Sequence, residues 1–145
     1  MAAFEVQIVI DCADPAGLAE FWAEALGYIV EPPPPGFGSW DELAKRIGIP
    51  AKDRDRLSAV VDPDLVRPRV LFQKVPESKE VKNRVHLDID VAPGIARGSE
   101  EHKGATRARS EHLTARGATL VRELDDPAGW CLVMADPEGN EFCLH

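Results

Sequence analysis

The run Arg84-Val85-His86-Leu87-Asp88-Ile89-Asp90 alternates polar and apolar residues, the period of a strand with one dry face. That spacing sets an imidazole and two carboxylates on one side, with Arg84 leading them. A histidine beside a carboxylate pairs a general base with a group able to orient it, so His86 and Asp88 are the candidate catalytic residues. The last residues, Glu141-Phe142-Cys143-Leu144-His145, alternate in the same way. Phe142 and Leu144 belong to a core, while Glu141, Cys143 and His145 share the other face. A thiol near an imidazole is a possible nucleophile, but a half-buried structural thiol is the commoner case.

These residues need elements to hold them. Val6 to Asp11 is β-branched and compact, as a strand should be. Val6, Ile8 and Ile10 are expected to face a helix, leaving Gln7, Val9 and Asp11 on the opposite side. Asp14-Pro15 is a helix start, with a capping carboxylate and a proline suited to the first turn. Leu18, Phe21, Trp22, Ala25 and Leu26 form one apolar stripe, Gly27 ends the helix, and Tyr28 to Val30 begins a second strand. Two further strand-like pieces follow, Leu57 to Val61 and Arg69 to Val75.

The second half repeats this order. Val85 to Asp90 matches Val6 to Asp11 apolar for apolar, so that Val85, Leu87 and Ile89 are expected in the core and His86 stands where Gln7 stood. Ala108 to Arg116 reads as a helix closed by Gly117, the counterpart of Gly27. Ala118 to Val121, Trp130 to Met134 and Asn140 to Leu144 read as strands, with Asp136 to Asn140 as the turn before the last. His102 and His112 fall in the inserted loop and the helix, where exposed polar residues are expected. The first half carries its own insertion, the prolines 32–35 and a short helix over Ser39 to Ile47 capped by Ser39. A strand–helix–three-strand order given twice implies an α+β domain of two similar modules, about 4–76 and 83–145.

Bulk composition narrows the function. The chain has 145 residues, 44% of them hydrophobic and 29% charged, which suits one folded domain and not a disordered chain. A net charge of −8 speaks against nucleic acid, whose phosphates recruit clustered Lys and Arg. The one basic cluster, Lys103 to Arg109, holds three cations and reads as a solvated face. No apolar run approaches a membrane span and the first residues lack a signal pattern, so a cytoplasmic location is expected. Cys12, Cys131 and Cys143 are too few and too far apart for a disulfide framework or a zinc knuckle, and read as thiols.

The segments 6–27, 84–90 and 136–144 resemble the signature pieces of the vicinal oxygen chelate superfamily, the glyoxalase-like and bleomycin-resistance-like domains. The most specific are Lys82-Asn83-Arg84-Val85-His86-Leu87-Asp88 and Asp136-Pro137-Glu138-Gly139-Asn140. The resemblance implies two βαβββ modules forming a cupped mixed sheet around a cleft, with helices on the outer face, and it implies a homodimer. Members that use a metal bind it through the first and last strands of each module. Carried over residue by residue, those positions fall on Gln7, Gln73, His86 and Cys143. His86 suits a metal, whereas two amides and a thiol replace the carboxylates and imidazoles that a hard divalent ion needs.

Three functional readings follow. The first is a cleft that binds a small organic molecule without a tightly held metal or other cofactor, lined by Gln7, Gln73, Arg84, His86, Trp130, Glu141 and Cys143, with Trp40 as a further aromatic wall. Net acidity favours a cationic ligand in that cleft. The second is a metal-dependent lyase, isomerase or dioxygenase with His86 as a ligand. The third is an accessory interaction module with no ligand. A pocket large enough for a ligand separates the first reading from the third.

Overall fold

The computed structural model describes residues 3–145. It divides between Ser78 and Lys79 into two compact units, each a strand–helix–strand module with its own four-stranded mixed sheet. The α+β, two-module class expected from the repeat is the class found.

In the first unit the elements are β1 (Ile8–Cys12), α1 (Pro15–Leu26), β2 (Ile29–Val30), α2 (Trp40–Arg46), β3 (Leu57–Val61) and β4 (Val70–Lys74), with a 3-10 turn at Ala51–Asp53. The strand order is β1-β4-β3-β2, with β1 parallel to β4 and the other pairs antiparallel. Asp14 caps α1 by accepting from the Gly17 N–H at 3.2 Å, and Gly27 closes it at φ +68°, a left-handed conformation that costs glycine little. The expected stripe of Leu18, Phe21, Trp22 and Ala25 is buried, and α1 packs on β3 and β4. Ser39 caps α2 through the Glu42 N–H at 3.1 Å.

Strand β1 starts two residues later than expected, and Val6 is exposed instead of core. The ladder explains this. Ile8 pairs with Val70 and donates to the Arg69 carbonyl, and the residue before Arg69 is Pro68, which has no N–H to extend the pairing. Ile8 and Ile10 do pair beside Val70 and Phe72, which are buried.

The second unit contains β5 (Asp88–Ile89), α3 (Glu100–Thr114), β6 (Thr119–Asp126), β7 (Gly129–Ala135) and β8 (Glu141–Leu144) in the order β5-β8-β7-β6. Strand β5 is parallel to β8 and only two residues long, against the six expected, and Val85 is exposed instead of core. Upstream of the ladder a side chain takes over: the Glu141 carboxylate accepts from the Asn83 N–H at 2.9 Å.

Helix α3 begins at Glu100, eight residues before the expected start, capped by Ser99 through the His102 N–H at 3.1 Å. Its buried face is His102, Thr106, Ser110 and Leu113, so the expectation of an exposed His102 is overturned. Local bonds meet part of the polar demand on this face, while His102 Nε2 is buried without a hydrogen-bond partner. The Thr106 hydroxyl donates to the His102 carbonyl at 2.8 Å, and the His102 Nδ1 accepts from the Gly98 N–H at 3.4 Å. Phe142, Leu144, Leu132 and Met134 complete this core.

Between β7 and β8 the buried Asp136 carboxylate accepts from the Glu138 and Asn140 N–H groups, each at 2.9 Å, and from the Asn140 side-chain amide. Asp136→Ala strands all three donors and should lower stability by about 2 kcal/mol, read by urea unfolding. A loss under about 0.5 kcal/mol would show that the turn holds without its carboxylate.

Candidate functional site

Alternation on β5, β8 and β7 decides what meets on the second sheet. Asp88 pairs with Cys143, and Cys143 pairs with Val133, so Asp88, Cys143 and Val133 share a face. Two residues before Val133, Cys131 belongs to that face as well. Trp130, Leu132 and Met134 take the other face with Phe142 and Leu144.

The structure therefore brings His86, Asp88 and Cys143 together, their ligating atoms all within 4.8 Å of one another. His86 Nδ1 lies 2.8 Å from Asp88 Oδ1, a pairing that orients the ring and leaves Nε2 to act. Both side chains are solvent-exposed, while Cys143 is half-buried. Burial, then the neighbouring Cys131 and Asp88, push the Cys143 thiol up to about 12. At neutral pH it is a thiol, not a nucleophilic thiolate. Sequence reasoning missed Cys131 as a member of this cluster. The alternation of β7, counted back from Met134, is the signal that places it there.

Other expected residues are placed elsewhere. Trp130 is buried on the helix side, where its indole N–H donates to Glu123 Oε1 at 2.6 Å and Lys103 and Arg107 lie over its ring at 5.7 and 5.3 Å. It is thereby removed from the polar face, a correction that follows from its sharing parity with Leu132. Glu141 is engaged by Asn83 and Lys79, and the Asn83 N–H holds its carboxyl below the usual range. Arg84 is exposed ahead of β5, outside the ladder.

The first unit has a pocket of ≈ 710 Å³ on the sheet face turned away from α1. Leu57 and Ala59 of β3 and Leu71 and Gln73 of β4 supply its floor, by the pairing of Leu57 with Gln73 and Ala59 with Leu71. The inserted helix α2 forms the roof with Trp40, Leu43 and Ile47, and the chain after it adds Ile49 and Pro50. Trp40 is fixed by its indole N–H, which donates to the Glu31 carbonyl at 2.8 Å. One wall is the Arg69 guanidinium, which grips both Glu31 oxygens at 2.9 and 2.5 Å and donates to the Gln7 side-chain oxygen at 2.7 Å. Gln73 thus lines the pocket directly, and Gln7 braces its wall through Arg69. Sequence reasoning named Gln73 and Trp40 but not the apolar floor, which carries no chemical signal.

The donor set of the second unit tests what metal would fit. One imidazole, one carboxylate and one thiol are the ligand types of a three-residue zinc site. They offer a single carboxylate, where a hard ion such as Mg²⁺ or Mn²⁺ requires several oxygens. The raised Cys143 thiol must also lose its proton before it can bind.

Paired βαβββ modules, each with its helix on one sheet face, define the vicinal oxygen chelate class. A family model of the glyoxalase-like domain matches residues 7–145, and the chain belongs to that family. No curated protein gives a significant sequence match. Among solved structures, a glyoxalase/bleomycin resistance/dioxygenase family enzyme from Burkholderia phytofirmans is similar at 17% identity and TM-score 0.61, over 95% of this chain and 94% of that one. The fosfomycin resistance protein FosX from Mesorhizobium loti is similar at 11% identity and TM-score 0.63, over 100% and 92%. FosX from Listeria monocytogenes, solved as a mutant with Mn(II) and a dihydroxypropylphosphonic acid, gives 11% and 0.62 over 100% and 90%. At these identities the likeness speaks for the fold.

With its pKa near 12, Cys143 should react with iodoacetamide at pH 7.5 at least about 100-fold more slowly than free cysteine, its rate still climbing beyond pH 10. Timed quenching and mass spectrometry of the Cys143 peptide measure this. A rate that levels off below pH 9 would mean a thiolate is already present.

Proposed function

We propose that this glyoxalase-like protein binds a small organic molecule in the first module's pocket and does so without a tightly held metal. The observation that carries the reading is the pocket itself, ≈ 710 Å³ and within the range of small-ligand sites. Its apolar lining is accessible: Trp40 is 45% exposed, Leu57 58% and Ile47 63%. A bound molecule covering them would remove apolar area from water, the main source of small-ligand affinity. An interaction module with no ligand gives no reason for such a space. A domain of both modules, a homodimeric state and a cytoplasmic setting belong to the same reading. The family match through both modules supports the first. Among the described residues no helix is long and apolar enough to cross a membrane.

The second reading is a metal-dependent lyase, isomerase or dioxygenase, and the His86–Asp88–Cys143 cluster is the observation that favours it. The Mn(II) of the Listeria FosX structure shows that the fold can serve a metal. Here a borderline ion such as Zn²⁺ suits the donors better, with His86 and Asp88 as its first ligands. Bound there, a metal would polarise a substrate oxygen.

Two measurements separate these readings. A small-molecule thermal-shift screen on the purified, untagged protein should yield binders that raise Tm, and Leu57→Trp, which fills the pocket from an exposed floor position, should abolish their effect. In the second, elemental analysis should find no stoichiometric metal, and added Zn²⁺ or Mn²⁺ should leave Tm unchanged. Stoichiometric metal, or a metal-induced rise lost in His86→Ala, would put the metal enzyme first. Size-exclusion chromatography with light scattering checks the homodimer, for which one protomer mass would be the contrary result.

A further inference from the structure

The charges lining the pocket run against those of the chain. The protein carries a net −8, yet the lining contains four cations, Arg54, Arg56, Arg69 and Lys74, against two acids, Glu31 and Asp53. What matters for a ligand is which of these remain free to engage it.

One acid and two of the cations are committed. Glu31 is held by Nε and one terminal nitrogen of Arg69, whose other terminal nitrogen donates to Gln7. Arg54 donates to the Ile49 carbonyl at 3.0 Å and to Asp41 at 3.2 Å, which fastens the 3-10 turn region to α2. Asp53 has Arg56 beside it at 3.7 Å. These groups build walls.

Arg56 and Lys74 differ. They are neighbours, since the Lys74 N–H donates to the Arg56 carbonyl at 2.9 Å. Arg56 is 64% exposed, and among the described residues its ion pair is that 3.7 Å contact, beyond hydrogen-bond reach. Lys74 pairs with Asp55 at 2.5 Å, but both side chains are well exposed, and an exposed pair exchanges partners at little cost. Gln73, next to them on the floor, presents a further amide. The pocket is thus apolar inside, with hydrogen-bond donors gathered beside the start of β3 and the end of β4. An acid group there gains charge-assisted hydrogen bonds. An amine meets two cations there, and of the two lining acids Glu31 is held by Arg69 while Asp53 has the Arg56 guanidinium beside it.

Resting on the pocket reading above, we infer that the ligand is an amphipathic organic anion, with its acid group at Arg56 and Lys74 and its apolar body on Leu57, Leu71 and Trp40. This reverses the cationic preference that the net charge suggests, because local lining, and not total charge, sets the potential inside a pocket.

The test uses the full chain and two matched probe sets, octanoate, octanol and octylamine, and 4-phenylbutyrate, 4-phenylbutanol and 4-phenylbutylamine, by calorimetry at pH 7. The acid of at least one set should bind about tenfold or more tighter than its alcohol and amine, a preference that shrinks as salt rises. Arg56→Gln should bring the acid's affinity toward that of the alcohol, and Lys74→Gln should act in the same direction. Both are exposed positions whose substitution leaves the core intact. If alcohol or amine binds as well as the acid and Leu57→Trp removes that binding, the anion inference is overturned while the pocket reading survives. If none of the six binds, or binding ignores Leu57→Trp, the pocket reading fails and the inference with it.

Discussion

Each module depends on the parallel pairing of its first strand with its last. Ile8–Cys12 lies beside Val70–Lys74, and Asp88–Ile89 beside Cys143–Leu144. A parallel pair cannot be closed by a tight turn, so the chain must cross over, and the helix that follows the first strand makes the return. Once that helix covers one sheet face, strand alternation commits every second residue to the other. Pairing brings residues far apart in the chain into contact: Gln73 stands opposite Asp11, and Cys143 opposite Asp88. Neither site exists without that closure.

Residues on one strand face are then differentiated by their donors. Glu141 and Cys143 lie two apart on β8, yet their acidities move in opposite directions. Glu141 receives the Asn83 N–H with Lys79 at hand, which favours its charge. Because its pKa is lowered in the folded state, its contribution to stability is present above the ordinary Glu value and fades as pH falls through the folded one. Cys143 has burial, a second thiol and a carboxylate around it, all of which disfavour its charge. The carboxylate therefore secures the chain ahead of β5, and the thiol stays neutral beside His86.

The fold was legible because its signals are local. The Asp14 cap, the Gly27 stop, the α1 stripe and the Asp136 turn each carry their own chemistry in a few residues. Helix α3 was misplaced because its buried face is His102, Thr106 and Ser110, which an apolar-stripe search passes over. The ends of β1 and β5 were misplaced because a strand extends only as far as its partner allows, and Pro68 and the Asn83–Glu141 bond lie far away in sequence. His86 and Cys143 were readable from parity. Trp130 was not, since its bulk suggested a ligand wall while its parity with Leu132 and Met134 puts it among Lys103, Arg107 and Glu123. The pocket was least legible, because its floor of Leu57, Ala59 and Leu71 looks like any strand.

The two modules share a plan but use their non-helix faces differently, and the insertion accounts for this. Between β2 and β3 the first module has residues 31–56, with α2 and the 3-10 turn, where in the second only residues 127 and 128 separate β6 from β7. Laid over β3 and β4, the longer segment turns an open sheet face into a lined space and makes apolar floor residues useful there. With no such cover, the matching face of the second module keeps His86 and Asp88 open to water, where a polar pair costs little to maintain. The two modules present equivalent faces. The segment between β2 and β3 makes one of them a pocket, while the other carries the residues that could hold a metal or move a proton.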